Sequence, residues 1–274
     1  MKSIAPTMAE VVAALALAGW AALALFGGLL VDPADAAISL AHAWAAPSAD
    51  HPLGCDGLGR DVLARLTLGA RAAFWVAGPG ALAALLLGGG LGAAAGMLGG
   101  GVDRLVRGFA DATTAFPRLI LALALSSVMG PGTLSAVVAF VLAAWPIAAL
   151  PTRAQTLALR REEFVRAADA LGASRRHILR RHILPGIRGD WLARSGALTA
   201  QAVLLEAALG VLGLGVQEPQ SSWGGMIRDG TPMLGHAPAM ALSAAAAVFA
   251  VALAANLAAD AAARRLVPRR GDGI

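Results

Sequence analysis

Few residues in this chain have the types and spacing that chemistry requires. Its five histidines, His42, His51, His177, His182 and His236, are scattered, with no H-E-x-x-H pair to hold a metal and no G-x-S-x-G turn to present a nucleophile. No G-x-x-x-x-G-K-[ST] loop is present to cradle nucleotide phosphates. The string with most polar content is Gly54-Cys55-Asp56-Gly57-Leu58-Gly59-Arg60-Asp61. A phosphate loop or a metal site could use such glycines and carboxylates, but no strand precedes it and no lysine follows, which argues against both. Its physical content is a turn-rich entry at Gly54, Gly57 and Gly59. A helix is expected to follow, on which Asp61 and Arg65 have the i,i+4 spacing of an ion pair. Glu206 is the one acidic residue deep inside an apolar run. At such depth an ionisable group is expected to face the bundle interior, as a clamp between helices or as part of a transport path. Arg194 is twelve residues away, about 18 Å along a helix, so the partner of Glu206 must come from another span or subunit, or be water. No catalytic set and no metal-binding set emerges.

The elements that would position these residues are dictated by composition. The 274 residues are 58% hydrophobic and 14% charged, with a mean hydropathy of +0.69. Soluble domains carry roughly 25% charged residues, so the chain is expected to be an all-α integral membrane protein. A single cysteine, Cys55, allows no intrachain disulfide. A net charge of +5 alone would suggest a nucleic-acid partner, but the charge is localised. Between Thr152 and Asp190 nine arginines face four acids, a surplus of 9 − 4 = 5 that equals the whole net charge. Basic loops between apolar spans are the positive-inside signature, and no nucleic acid is expected.

In chain order, residues 1–10 form a short N-terminal lead, and 11–31 a first span, uncharged and long enough for a bilayer core of about 30 Å. A cleaved signal peptide would have a shorter apolar region, and no convincing cleavage site follows. Residues 32–71 form a hydrophilic loop with five Asp and three Arg. Residues 72–263 supply five more spans. The first, Ala72–Leu98, has glycines at 88, 92, 96 and 100 that share one helix face and admit a close neighbour. A third span is expected to start near Phe109, carrying Asp111 and Arg118 at its inner end. Gly130-Pro131-Gly132 separates it from a fourth, Leu192–Val216 is a fifth, and Ala237–Ala259 a sixth. The tail 264–274 carries Arg264, Arg265, Arg269 and Arg270, which places it inside. Six spans put the N-terminus inside too, and then only Arg60, Arg65, Arg71 and Arg228 lie outside.

The loop 152–190 holds an arginine-rich island, Glu163–Pro185, that reads as helix, tight turn, helix. Phe164, Ala167, Ala168 and Leu171 recur at helical spacing and share an apolar face. Gly172 is placed for a left-handed cap, Ser174 can cap the next helix, and Pro185 is expected to end the unit. Such an amphipathic helix is shaped to dock in a groove on another protein. The competing reading is a basic loop lying on lipid headgroups, which would have no need of Gly and Pro at fixed offsets.

Arg166-Ala167-Ala168, Gly172 and His182-Ile183-Leu184-Pro185 resemble the EAA loop of ABC-importer permeases. Arg166 stands where that family has a glutamate, with Glu163 one turn earlier. Leu53–Arg71, LGCDGLGRDVLARLTLGAR, resembles the LGTDxxGRDVxxRxxxGAR signature of the dipeptide/oligopeptide/nickel branch, with Cys55 for Thr. Gly54, Asp56, Gly59, Arg60, Asp61 and Arg65 fall on its motif positions. A third stretch, Ala208–Ile227, ALGVLGLGVQEPQSSWGGMI, resembles the LSFLGLGVQPP…WG segment of the same branch. The resemblance covers roughly Leu53 to Met226. It implies the type I importer permease architecture in a bacterial inner membrane, and no enzymatic activity. It also implies a second permease subunit as heterodimer partner, two cytoplasmic ATPases that bind the ATP, and an external substrate-binding protein. The EAA-like loop would be the ATPase contact, and the chain itself would bind no cofactor. The substrates implied are di- or oligopeptides, nickel or a metal chelate. An alternative is a secondary transporter or channel without ATPase partners, but no inverted repeat is visible.

Overall fold

The computed structural model describes residues 7–32 and 35–266, with only the backbone of Leu266. The outer parts of the expected terminal segments, residues 1–6 with Lys2 and 267–274 with Arg269 and Arg270, lie outside the described residues, as do Pro33 and Ala34 of the hydrophilic loop. Within the described residues ten α-helices follow one another: α1 Met8–Phe26, α2 Val62–Leu98, α3 Gly100–Thr114, α4 Arg118–Met129, α5 Thr133–Leu159, α6 Glu163–Ala170, α7 Arg175–Ile178, α8 Leu184–Val211, α9 Trp223–Gly230 and α10 Pro238–Leu266. Among the described residues there is no β-strand, only an isolated bridge between Cys55 and Asp61.

Among the described residues, four helices, α1 with its 3-10 extension, α2, α5 and α10, are long and apolar enough to cross a membrane, and the bent pair α3–α4 would make a fifth. The expected fifth, Leu192–Val216, falls mostly within α8, which is long enough but contains Gln201 and Glu206 in its apolar half. The third span departs from expectation. Instead of one helix from Phe109, α3 ends at Thr114 and α4 starts at Arg118 after a 91° bend. Pro117, which has no N–H for the ladder, occupies the cap position of α4. At 12 residues, α4 alone spans only about 18 Å.

The bundle is built around α2. Gly88, Gly92 and Gly96 lie against α5 so closely that a Cβ at Gly88 would sit 2.1 Å from the Trp145 carbonyl, and one at Gly92 2.2 Å from the Ala149 carbonyl. Absent side chains let the two backbones meet, the recurrent way of packing helices where lipid gives no hydrophobic drive. Gly100, the fourth of the spaced glycines, lies beyond the end of α2 and meets nothing. The main core then runs across α2, α5, α8 and α10, with Ala73, Ala77, Phe140, Leu198, Val203 and Val248 among its buried members. Glu10 in the first turn of α1 pairs with Arg264 and Arg265 at the end of α10, both at 3.0 Å, so the two ends of the described chain lie at the same end of the bundle.

Candidate functional site

Two polar regions hold the residues singled out by sequence, and the first surrounds Asp56. Left-handed glycines shape its approach: Gly54 has φ +76° and Gly59 φ +75°. A Cβ on Gly59 would overlap the Ser39 carbonyl at 1.8 Å, so only glycine fits against the crossing segment. The turn drives Asp56 inward to 1% exposure. Its carboxylate accepts from the backbone N–H of Leu58 and Arg60 at 2.8 and 2.9 Å, from Arg60 Nε at 2.8 Å and from Arg65 Nη1 at 2.6 Å. Burial pushes this carboxyl up, but the hydrogen bonds from Arg60 and the charges of Arg65 and Arg60 outweigh it and hold Asp56 below the ordinary aspartate range.

A carboxylate distant in sequence completes the cluster. Glu218 accepts from Arg60 Nη1 at 2.6 Å, and from Arg60 Nη2 and Arg65 Nη2 at 3.2 Å each. Asp229 lies 3.6 Å from Arg65 Nη2. Trp223 Nε1 donates to the Leu66 carbonyl at 2.9 Å, and its ring fills the space left by Gly69. The 54–69 segment is thereby clasped to the 218–229 segment.

Two local expectations are corrected here. Asp61 does not pair with Arg65, because it is the N-cap of α2: one oxygen accepts from Ala64 N at 2.7 Å and the other faces His51 Nδ1 at 3.0 Å. The helix starts at Val62, nine residues before the expected end of the hydrophilic loop at 71. Cys55 lies beside the cluster at 2% exposure, its thiol pushed up by burial and by the nearby Asp61, Asp56 and Asp35 carboxylates.

The second region is the loop between α5 and α8. Glu163 opens α6, Gly172 adopts φ +82° behind it, and Ser174 accepts from His177 N at 3.3 Å as the cap of α7. The loop is anchored by Val165, Ile178 and Ile183, which pack with Met97 at the end of α2. Pinning Val165 inward turns Phe164, Ala167 and Leu171 outward: Leu171 is 89% exposed and Phe164 about half, while Ala168 is partly covered. Arg166 is exposed beside them. Pro185 does not end this unit. Helical residues run unbroken from Arg175 to Val211, and Pro185 follows directly on the π-helical turn Leu179–Ile183 that joins α7 to α8.

Glu206 is placed in α8 at 0% exposure, and neither carboxylate oxygen has a hydrogen-bond partner. Arg194 is occupied by Asp190, one turn away, at 2.5 and 3.0 Å. The two polar regions and Glu206 are separate features, and no group of three or more potential metal ligands occurs among the described residues. Sequence reasoning missed Glu218, Asp229 and Val165. The first two stand in the polar stretch between α8 and α10, which showed acidic residues but no partner for them. Val165 was hidden by the more regular spacing of Phe164, Ala167, Ala168 and Leu171.

Among the described residues, an all-helical bundle with several helices long and apolar enough to cross a membrane is the architecture of a multi-pass membrane protein. The pattern of the family described as binding-protein-dependent transport system inner membrane component matches residues 88–271, and the chain belongs to that family. It is 31% identical over 259 residues to the dipeptide transport system permease protein DppC of Alkalihalophilus pseudofirmus, covering 94% of this chain and 85% of that one. It is 37% identical over 214 residues to the glutathione transport system permease protein GsiD of Shigella flexneri, covering 78% and 71%. It is 33% identical over 192 residues to the oligopeptide transport system permease protein OppC of Bacillus subtilis, covering 70% and 63%. The fold is the type I ABC permease fold, and the chain is a permease of the inner membrane, in a family of transport components and not of enzymes.

Proposed function

We propose that this chain is one of two transmembrane subunits of an ATP-driven importer of short peptides, and that it converts closure of two cytoplasmic ATPases into alternating access. The observation that carries the coupling role is the outward apolar ridge Phe164–Ala167–Leu171 on a helix pinned from behind by Val165. A large apolar side chain at 89% exposure, capping the end of a fixed short helix, fits the docking of a partner groove. The substrate class rests on the relatives, whose names include dipeptide, oligopeptide and glutathione transport permeases. Nickel or a metal chelate is the other substrate the signature implies. The heterodimer partner is a second permease, substrate arrives from an external binding protein, and both termini lie in the cytoplasm with the Asp56 cluster outside. In this account residues 152–190 are the coupling loop, and 72–263 form the core of the permease.

Reconstituted in proteoliposomes with its partners, the chain is expected to support peptide uptake that requires ATP and an intact ATPase. Uptake that persists without the ATPase and follows an ion gradient would instead establish a secondary transporter.

A further inference from the structure

The Asp56 cluster borders a cavity of about 830 Å³, within the roughly 300–1,000 Å³ typical of small-molecule sites. Trp44, Leu58 and Met240 give it apolar walls, while Arg60, Arg65 and Arg228 are among its charged lining. The clasp does not use up the donors of its two buried guanidiniums. Each arginine carries five N–H groups in a fixed fork. Arg65, with a side chain 2% exposed, engages Asp56 through Nη1 and Glu218 through Nη2, but its Nε has no acceptor. A buried donor without an acceptor is costly, so the clasp leaves Arg65 incompletely satisfied.

The two carboxylates on these arginines differ in kind. The Asp56 side chain is 2% exposed and held by two backbone N–H groups as well as by both arginines. Glu218 is 46% exposed, lies in the non-helical segment between α8 and α9, and touches the cluster only through its side chain. Glu218 is therefore the replaceable counter-ion, and a group that replaces it must offer the same planar pair of oxygens to Arg60 and Arg65.

We propose that this cavity receives the C-terminal carboxylate of a short peptide, which displaces Glu218 from Arg60 and Arg65 while Arg228 contributes charge at the rim. The inference rests on the peptide-importer reading above and adds the chemical group that is recognised. It makes Glu218 a competitor of the ligand: removing its charge should favour binding, whereas a purely structural clasp would only lose stability.

The test uses the complete importer in lipid nanodiscs, without ATP or binding protein, and an isotope-labelled random tripeptide mixture in free-acid and C-amidated forms. The free-acid mixture should bind saturably, with the amidated mixture at least about tenfold weaker, as expected for loss of charge-assisted hydrogen bonds. Arg228→Gln should weaken free-acid binding severalfold and leave the amide unchanged, and Glu218→Gln should tighten it. Equal binding of acid and amide, binding seen only when the binding protein is present, or weaker binding in Glu218→Gln would each overturn the proposal. ATP-driven uptake of the same mixture, with binding protein added, separates the two levels. Uptake without acid-selective binding removes the carboxylate site alone, and absence of uptake removes the peptide-importer reading with it.

Discussion

The Asp56 cluster and the α5–α8 loop contain the same kind of residue, arginine, in opposite circumstances. Around Asp56, two arginines are buried and share carboxylates drawn from segments more than 150 positions apart. In the loop, Arg166, Arg175, Arg176, Arg180 and Arg181 are exposed, and so are Phe164 and Leu171. The first region is closed by the chain's own long-range contacts, so damage to it should appear as lost stability of the chain. The second is anchored on one side and bare on the other, so damage to its outer face should appear only in the assembled complex.

The comparison breaks most severely at Asp56. Asp56→Ala leaves two buried guanidiniums without their inner acceptor, and removing one member of a buried ion pair typically costs about 3–5 kcal/mol. A large drop in the thermal midpoint and in the yield of detergent-solubilised chain is expected. The pH dependence has a fixed sign. Because its folded pKa is lowered, Asp56 contributes stability that is complete above the unfolded-state value of about 4 and is lost as pH falls through the folded value. Acid unfolding of the wild type should therefore begin below about pH 4, and Asp56→Asn should flatten that limb.

Replacing Gly92 by Leu should come next. A Cβ there already meets the Ala149 carbonyl at 2.2 Å, so α2 and α5 must separate. Overpacking of this kind costs about 1–3 kcal/mol, read as a lower thermal midpoint. Gly100→Ala meets no neighbouring atom and, at φ +57°, carries only the local backbone strain, so its effect should be smaller. Glu218→Gln should be milder still, below about 1 kcal/mol, because its side chain is 46% exposed and solvent screens its pairs. A cost as large as that of Asp56→Ala would mean that Glu218 is as integral to the clasp as Asp56.

These contrasts also show what could be read from the sequence. Helix content, the α2 glycine face and the helix–turn–helix form of the loop were legible because each depends on residues within a turn or two of one another. Arg65 was legible as a charged site residue but not in its pairing. Local spacing offered Asp61, which the helix N-terminus had already claimed, whereas the true partners come from the turn before it and from Glu218 and Asp229. Pro185 and Pro117 illustrate the same limit. A proline forbids a ladder bond, but whether it ends one helix or begins the next depends on where the chain turns. Glu206 was legible as buried within α8, while the absence of any acceptor or donor beside it is a property of the packed bundle.

Side assignment can be sharpened independently of stability. Cys55 is too buried at 2% exposure to report its location, so it should be replaced by Ser and new thiols placed at exposed positions. With the Asp56 cluster outside, a membrane-impermeant maleimide should label Asp50→Cys in spheroplasts and Leu171→Cys only after permeabilisation. The reverse pattern would invert the topology.

The central claim is that the loop is a docking face left open by this chain, and Leu171→Asp tests it most directly. Leu171 is 89% exposed, so the substitution should leave the thermal midpoint of the isolated permease chain within about 0.5 kcal/mol of wild type. In the assembled importer the same charge would enter a desolvated interface, where an unpaired charge costs several kcal/mol. Co-purification of the ATPase with the Leu171→Asp permease, measured beside the midpoint of the isolated chain, should therefore show lost ATPase and an unchanged midpoint. Wild-type recovery of ATPase, with peptide-stimulated hydrolysis intact, would contradict the assignment of α6 as the coupling helix.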